Sequence, residues 1–300
     1  MKRTRIQNFL EYFAFRSVSA WLESLPIEKA IAMHEPLGRL WFNVLKIRRD
    51  VAEDNVRRAF PGISPEEVSE IVRRCFAHYS RVAIEQILLP KILLRYQDQF
   101  FAGANWEVLD QAQAEGRGVI LVGGHLGNWE LMGSLIAKRG YPVWAVATIQ
   151  RNKMVDRLIN RHRRISGLRI IPKGEARRKI PEVLRAGHFL GLVSDQDAGE
   201  RGVFVPFFGI PASTPAGAAV YSLRYGTALV YIASYLADGK YRFHFERLPV
   251  ENYSGLNEEN IRRVTLLHVR KLEQDVRRFP EQYFWVHRRW KTPPPEQSGA

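Results

Sequence analysis

Val119-Ile-Leu-Val-Gly-Gly-His-Leu-Gly-Asn-Trp-Glu-Leu131 reads as a strand, a glycine turn and the start of a helix. Four consecutive apolar residues suit a strand buried on both faces. Gly123-Gly124 ends it, and Asn128 supplies the side chain of an N-cap. His125 is thereby placed at the C-terminal mouth of a buried strand, where ligands bind in open α/β sheets. Outward from this unit, apolar runs at 142–147, 168–171, 189–193 and 228–233 alternate with helix-like segments around 129–138, 153–165, 175–186 and 215–224. That rhythm predicts β-α-β units and a parallel sheet. Residues 241–248 alternate as a half-exposed or edge strand would, and a long helix is predicted over 258–278.

The first hundred residues read as helices. Ser64-Pro65-Glu66-Glu67 joins an N-cap, a proline at N1 and a carboxylate at N3, so a helix starts there, with its apolar pattern running to Leu89, before Pro90. The expected fold is α/β, a mixed and mostly parallel sheet flanked by helices, with a helical N-terminal layer over 1–104, a core over 105–292 and a loose tail over 293–300. These form one structural domain overall.

The 300 residues carry 45 Lys+Arg against 31 Asp+Glu, a formal net charge of +14, while 46% are hydrophobic. Such a composition folds, which excludes a disordered basic tail, and the excess charge calls for nucleic acid, an anionic membrane or an acidic partner. The single cysteine, Cys75, excludes an internal disulfide framework and reads as a small buried hydrophobe. Glu11 and Arg16 interrupt the best candidate for a membrane span, so neither a transmembrane helix nor a secretory signal is predicted. Instead Leu10, Phe13, Ser17, Trp21 and Leu25, widened by Val18 and Leu22, form one helical stripe. Lys2, Arg3 and Arg5 beside it favour a helix lying on anionic lipid.

At the candidate site, Glu130 stands five residues after His125, close enough to accept the imidazole N–H and leave the other nitrogen as a general base. The plainer reading makes Asn128 a cap, Glu130 a dipole-matching acid and His125 a loop residue. No His-x-x-x-His spacing occurs, and one cysteine cannot build a zinc site, so no metal is expected. Neither a G-x-S-x-G elbow nor a phosphate-binding P-loop is present. Asp195-Gln196-Asp197 follows a second apolar run, again at a strand end. Asp156 and Arg163 share a helix face, with Arg164 beside them, and 283–291 is an aromatic-basic segment. A basic nucleic-acid-binding protein could use Arg161, Arg163, Arg164 and the Trp285 to Trp290 stretch, but no recognisable nucleic-acid motif accompanies them.

Taken together the chain resembles the lipid A late acyltransferases, within the larger glycerolipid-type acyltransferase group. The resemblance rests on Leu25-Pro26, on Asn55 through Phe60-Pro61, and on Gly124-His-Leu-Gly-Asn-Trp-Glu130 as the H-x-x-x-x-E signature. It continues through Arg163-x-x-x-Gly167, Asp195-Gln-Asp197, Val203-Phe-Val-Pro-Phe-Phe-Gly209 with Thr214, and Pro280-Glu-Gln-Tyr-Phe-Trp-Val-His-Arg-Arg-Trp-Lys291. The sequence departs at Tyr235-Leu236 and at Thr292-Pro293, where many members carry arginine. The resemblance implies transfer of an acyl chain from acyl carrier protein to a hydroxyacyl chain of a lipid A precursor. This would occur on the cytoplasmic face of the bacterial inner membrane, by a peripheral or monotopic enzyme without cofactor, covalent acyl-enzyme or nucleic acid. In that reading His125 is the base, Glu130 orients it, and Arg163 stabilises the oxyanion or holds a phosphate. Asn128, Arg164, Asp195, Gln196, Asp197, Arg288 and Arg289 would bind substrate. An acyl-CoA-dependent enzyme of the phosphatidylinositol-mannoside type shares the His-Leu-Gly-Asn-Trp-Glu kind of motif.

Overall fold

A computed structural model describes residues 4–295, so Lys2, Arg3 and the last five residues of the expected tail lie outside the described residues. Among the described residues nine strands form: β1 (Phe101–Ala104), β2 (Val119–Gly123), β3 (Val143–Ala147), β4 (Arg169–Pro172), β5 (Phe189–Val193), β6 (Val203–Phe207), β7 (Ile210–Thr214), β8 (Ala228–Ala237) and β9 (Lys240–Leu248). Seven make one sheet in the order β1-β9-β8-β2-β5-β3-β4. From β8 to β4 all neighbours are parallel, whereas β9 runs antiparallel to β8 and carries β1 beside it. The expected α/β class and its parallel centre are present.

Two elements depart from expectation. β1, with only Phe-Ala-Gly-Ala to mark it, has no apolar period and joins the sheet from before residue 105. β6 and β7 form a separate two-stranded ribbon, where Pro206 and Pro211 face each other so that neither must donate to the other. Its turn uses Phe208 and Gly209 at φ 54 and 74, the paired left-handed residues that match strand twist.

The alternation of β2 divides the core. Ile120 and Val122 pack on one face with the Gly217–Tyr225 and Glu258–Arg278 helices, while Val119 and Leu121 pack on the other with Trp129–Lys138. The Pro65–Lys91 helix serves both faces, giving Val72, Cys75, Phe76 and Tyr79 to the first and Ile84, Leu88 and Leu89 to the second. Its start is the expected capping box, with Ser64 and Glu67 each accepting the other's backbone N–H. Its end runs past the expected stop, through Pro90 to Lys91. Pro90 has no N–H for the Gln86 carbonyl four residues back. The His162 ring, 3.3 Å away on the Lys153–Ile165 helix, donates to it instead. One proline thus opens a bond that ties two helices together.

The Arg5–Ser24 helix buries Ser19 and Leu22 against the body. Most of the predicted stripe faces outward, with Leu10 60%, Phe13 61% and Trp21 49% exposed. No described helix is long and apolar enough to cross a membrane. At the other end of the chain, the segment after Arg278 threads back between the N-terminal helices and the sheet. Asn55 donates to the carbonyls of Trp285 and His287, each at 2.6 Å, and the Cys75 thiol meets the Tyr283 carbonyl at 3.2 Å.

Candidate active site

β2 and β5 are neighbours in register, Gly123 opposite Val193, so the residues leaving them emerge side by side. That adjacency brings together two residues seventy positions apart. The Asp195 carboxylate accepts the His125 backbone N–H at 2.8 Å through one oxygen and meets the ring Nδ1 at 2.7 Å through the other. Gly124 permits the approach, because a Cβ there would sit 2.7 Å from Leu272 and 3.2 Å from Asp195 Oδ2. Burial opposes ionisation of Asp195, yet the charge of the His125 ring and the two His125 hydrogen bonds hold its carboxyl below the ordinary value. An ionised carboxylate only accepts, so Nδ1 donates to it, and in the neutral ring that tautomer leaves the lone pair on Nε2.

The ring is 18% exposed and Asp195 2%, so one end of the pair is dry and the other open to a ligand. Trp129 meets the imidazole edge-on at 4.6 Å between centroids, and Phe284 stacks beside it at 5.8 Å. The Gln196 amide stands 3.5 Å from Nε2. The loop is held from the far side as well. The His125 carbonyl accepts from Phe284 N–H at 3.0 Å, Gly127 N–H donates to Gln282 at 2.9 Å, and the Tyr79 hydroxyl lies within hydrogen-bond distance of both the His125 and the Gln282 carbonyl.

Glu130 does not occupy the position expected for it. At N2 of its helix it points to the neighbouring Lys153–Ile165 helix and takes a two-pronged salt bridge from Arg163 Nε and Nη2. The adjacent strand end already supplies the carboxylate for His125, so Asp195 replaces Glu130 as its partner. Arg163 Nη1 goes to Asn160, whose amide donates to Asp156, so the expected oxyanion donor has three of its N–H groups committed within the protein. Asn128 is the cap that was expected, accepting Leu131 N–H, but it is buried with its amide donating to Glu85, so it presents no surface to a substrate.

Other expected binding residues separate in the same way. Gln196 faces the ring. Asp197 holds Thr292 through its backbone and hydroxyl and caps Gly199, while its own N–H donates to His287 Nε2 at 2.8 Å. Burial keeps His287 below its ordinary pKa and so neutral enough to accept. Arg289 is 2% exposed and spends its fork on the Ser213 carbonyl and the Thr214 hydroxyl, so it braces β7 and has no surface for a ligand. Arg288 is exposed. Arg164 lines a cleft of about 340 Å³ along β3 and β4, with Trp144, Asp156, Asn160 and Arg169. Trp285 is buried and Trp290 half-buried, packed on the core, which removes the aromatic surface that base stacking would need.

Sequence reading missed Tyr79, Glu85 and Gln282. Glu85 is buried and takes three donors, Arg81 at 2.6 Å, Asn128 at 2.7 Å and Tyr241 at 2.8 Å, joining the Pro65–Lys91 helix to the Asn128 cap and to β9. A carboxylate on the apolar side of an amphipathic helix was the one available signal.

Comparison with known proteins agrees along the whole length. The family model described as bacterial lipid A biosynthesis acyltransferase matches residues 2–292. The chain is similar to the lipid A biosynthesis palmitoleoyltransferase of Escherichia coli K12, 28% identical over 97% of this chain and 94% of the relative. It is also similar to the lipid A biosynthesis lauroyltransferase of the same organism, 27% identical over 86% and 84%. A phosphatidylinositol mannoside acyltransferase of Mycobacterium tuberculosis matches at 29% over 56% of each chain.

Because Glu130 and Arg163 act as one latch, Glu130→Gln and Arg163→Gln should each lower turnover, and the double variant should be no worse than the poorer single one. Steady-state rates of the three variants check this. Losses that multiply would show two independent roles.

Proposed function

The chain belongs to the bacterial lipid A biosynthesis acyltransferase family, and from that premise we propose that it moves a fatty acyl chain from acyl carrier protein onto the hydroxyl of a hydroxyacyl chain of a lipid A precursor, with His125 as general base. The observation that carries this is the His125–Asp195 pair at the mouth of β2 and β5. Asp195 fixes the tautomer and the ring, so Nε2 takes the hydroxyl proton as the oxygen attacks the thioester carbonyl. The tetrahedral oxyanion then collapses, the carbon–sulfur bond breaks, and His125 returns the proton to the departing thiolate. Gln196, within reach of Nε2, is the side chain placed to donate to that oxyanion. Among the described residues the ring's hydrogen-bond partners are Asp195 and Gln196, with no serine, threonine or cysteine between them, which supports direct attack without an acyl-enzyme.

Glu130 and Arg163 act as positioning residues that hold the start of the Trp129–Lys138 helix, and Arg164 contributes a cation to the neighbouring cleft. The outward apolar stripe of the Arg5–Ser24 helix, with exposed Arg5 at its start, supports peripheral docking on the cytoplasmic face of the inner membrane. An acidic carrier protein suits the net charge of +14.

His125→Ala should lose at least about a hundredfold in transfer while keeping the thermal transition, and Asp195→Asn should fall by about 10²–10⁴-fold through the wrong tautomer. Transfer assays beside thermal melts decide this, since unfolding of both variants would reduce the pair to a structural one. With acyl carrier protein as donor, the rate should drop steeply as salt screens the attraction. Equal rates from acyl-CoA with no salt dependence would point to the glycolipid-type donor instead.

A further inference from the structure

A second cleft, of about 740 Å³, opens between the first turns of the Arg5–Ser24 helix and the start of the Lys153–Ile165 helix. Its volume lies in the range of ligand pockets. It is built around Asn152, which is buried. One end of that amide caps the second helix through Met154 and Val155 N–H, and the other donates to the Asn8 carbonyl at 2.7 Å and the Glu11 carboxylate at 3.1 Å on the first helix. The two helices are thereby locked with a gap between them.

The lining has two chemistries. Arg5, Arg151, Lys153 and Arg157 are all exposed, and among the described residues none has a carboxylate within ion-pair distance. Several arginines elsewhere on this surface are matched along their own helices, as in Arg49 with Glu53, Arg74 with Glu70, Arg263 with Glu259 and Arg277 with Glu273. Asp156, beside Arg157 in sequence, is spent on Gln150 N–H and Asn160. Four unmatched cations in one concavity, at the positive end of a helix dipole, form an anion seat. The remaining wall is apolar, from Ile6, Phe9, Leu10 and Met154. A ligand satisfying both walls carries a compact anion on acyl chains.

We propose that this cleft holds a phosphate group of the lipid acceptor; the assignment rests on the acyltransferase reading above. The helix that starts at the cleft explains the choice of acceptor over bulk bilayer lipid. Arg157 and Arg163 are six residues apart, about 9 Å along the axis, and Arg163 grips Glu130 behind the His125 loop. A glycolipid seated by its phosphate would lie along this helix with its acyl arms toward the base. A bilayer surface, being flat, requires no concave seat.

The test is the Arg151→Gln/Arg157→Gln double variant against detergent-solubilised acceptor with and without its phosphates. Both residues are exposed, so the melt should not move. The expected result is a KM for the phosphorylated acceptor raised about tenfold or more with kcat retained. Dephosphorylated acceptor should abolish the difference between variant and parent, and Arg177→Gln/Arg270→Gln, equal in charge but remote, should behave as the parent. Affinity for phosphatidylglycerol vesicles should be unchanged. An unaltered KM, or an equal penalty on both acceptors, overturns the proposal. So does a fall in vesicle affinity alone, which would make the cleft a bilayer-lipid site. If the parent transfers to neither acceptor, the activity reading fails separately, and equilibrium binding of the two lipids to parent and variant then judges the cleft.

Discussion

One carboxylate receives two hydrogen bonds from one residue: Asp195 accepts both the backbone N–H and the ring N–H of His125. The backbone bond fixes the loop and the ring bond fixes the tautomer, so neither can shift without the other. The rest of the architecture meets the conditions of that contact. β2 and β5 must be parallel neighbours in register, position 124 must lack a Cβ, and Asp195 must be dry enough for its hydrogen bonds to be strong.

Distant parts of the chain brace the same loop. The C-terminal segment adds Phe284 and Gln282 on one side, and the Pro65–Lys91 helix adds Tyr79 and, through Asn128, Glu85. Asn55 in turn holds the C-terminal segment. The site is thus assembled from the first, middle and last thirds of the sequence, with Arg163 clasping Glu130 from a further helix. Such preorganisation suits the role proposed for His125, which must present one lone pair in one direction.

What the sequence disclosed and what it hid follow from the range of the forces involved. The strand-turn-helix around His125, the Ser64 capping box and the alternation of strands with helices are local and periodic, and all were legible. The pairing of Glu130 with His125 was inferred from proximity along the chain. The actual partner comes from sheet order, which no local pattern encodes. Arg289 illustrates the same limit, since a cation in an aromatic-basic segment looks available until the fold buries it against Ser213 and Thr214. β1 lacked an apolar period, each strand of the β6–β7 ribbon carries a proline that argues against a strand, and Pro90 read as a stop because the His162 bond that tolerates it lies on another helix. The excess of positive charge called for an anionic partner, while the cleft that gathers Arg151 and Arg157 required the helix pairing to appear.

The central claim, that Asp195 sets the state of the base, is open to one direct observation. Nitrogen-15 NMR of the selectively labelled protein near neutral pH should show the His125 proton on Nδ1, with a downfield resonance that disappears in Asp195→Ala. A ring protonated on Nε2, or one whose tautomer is the same without Asp195, would contradict the account.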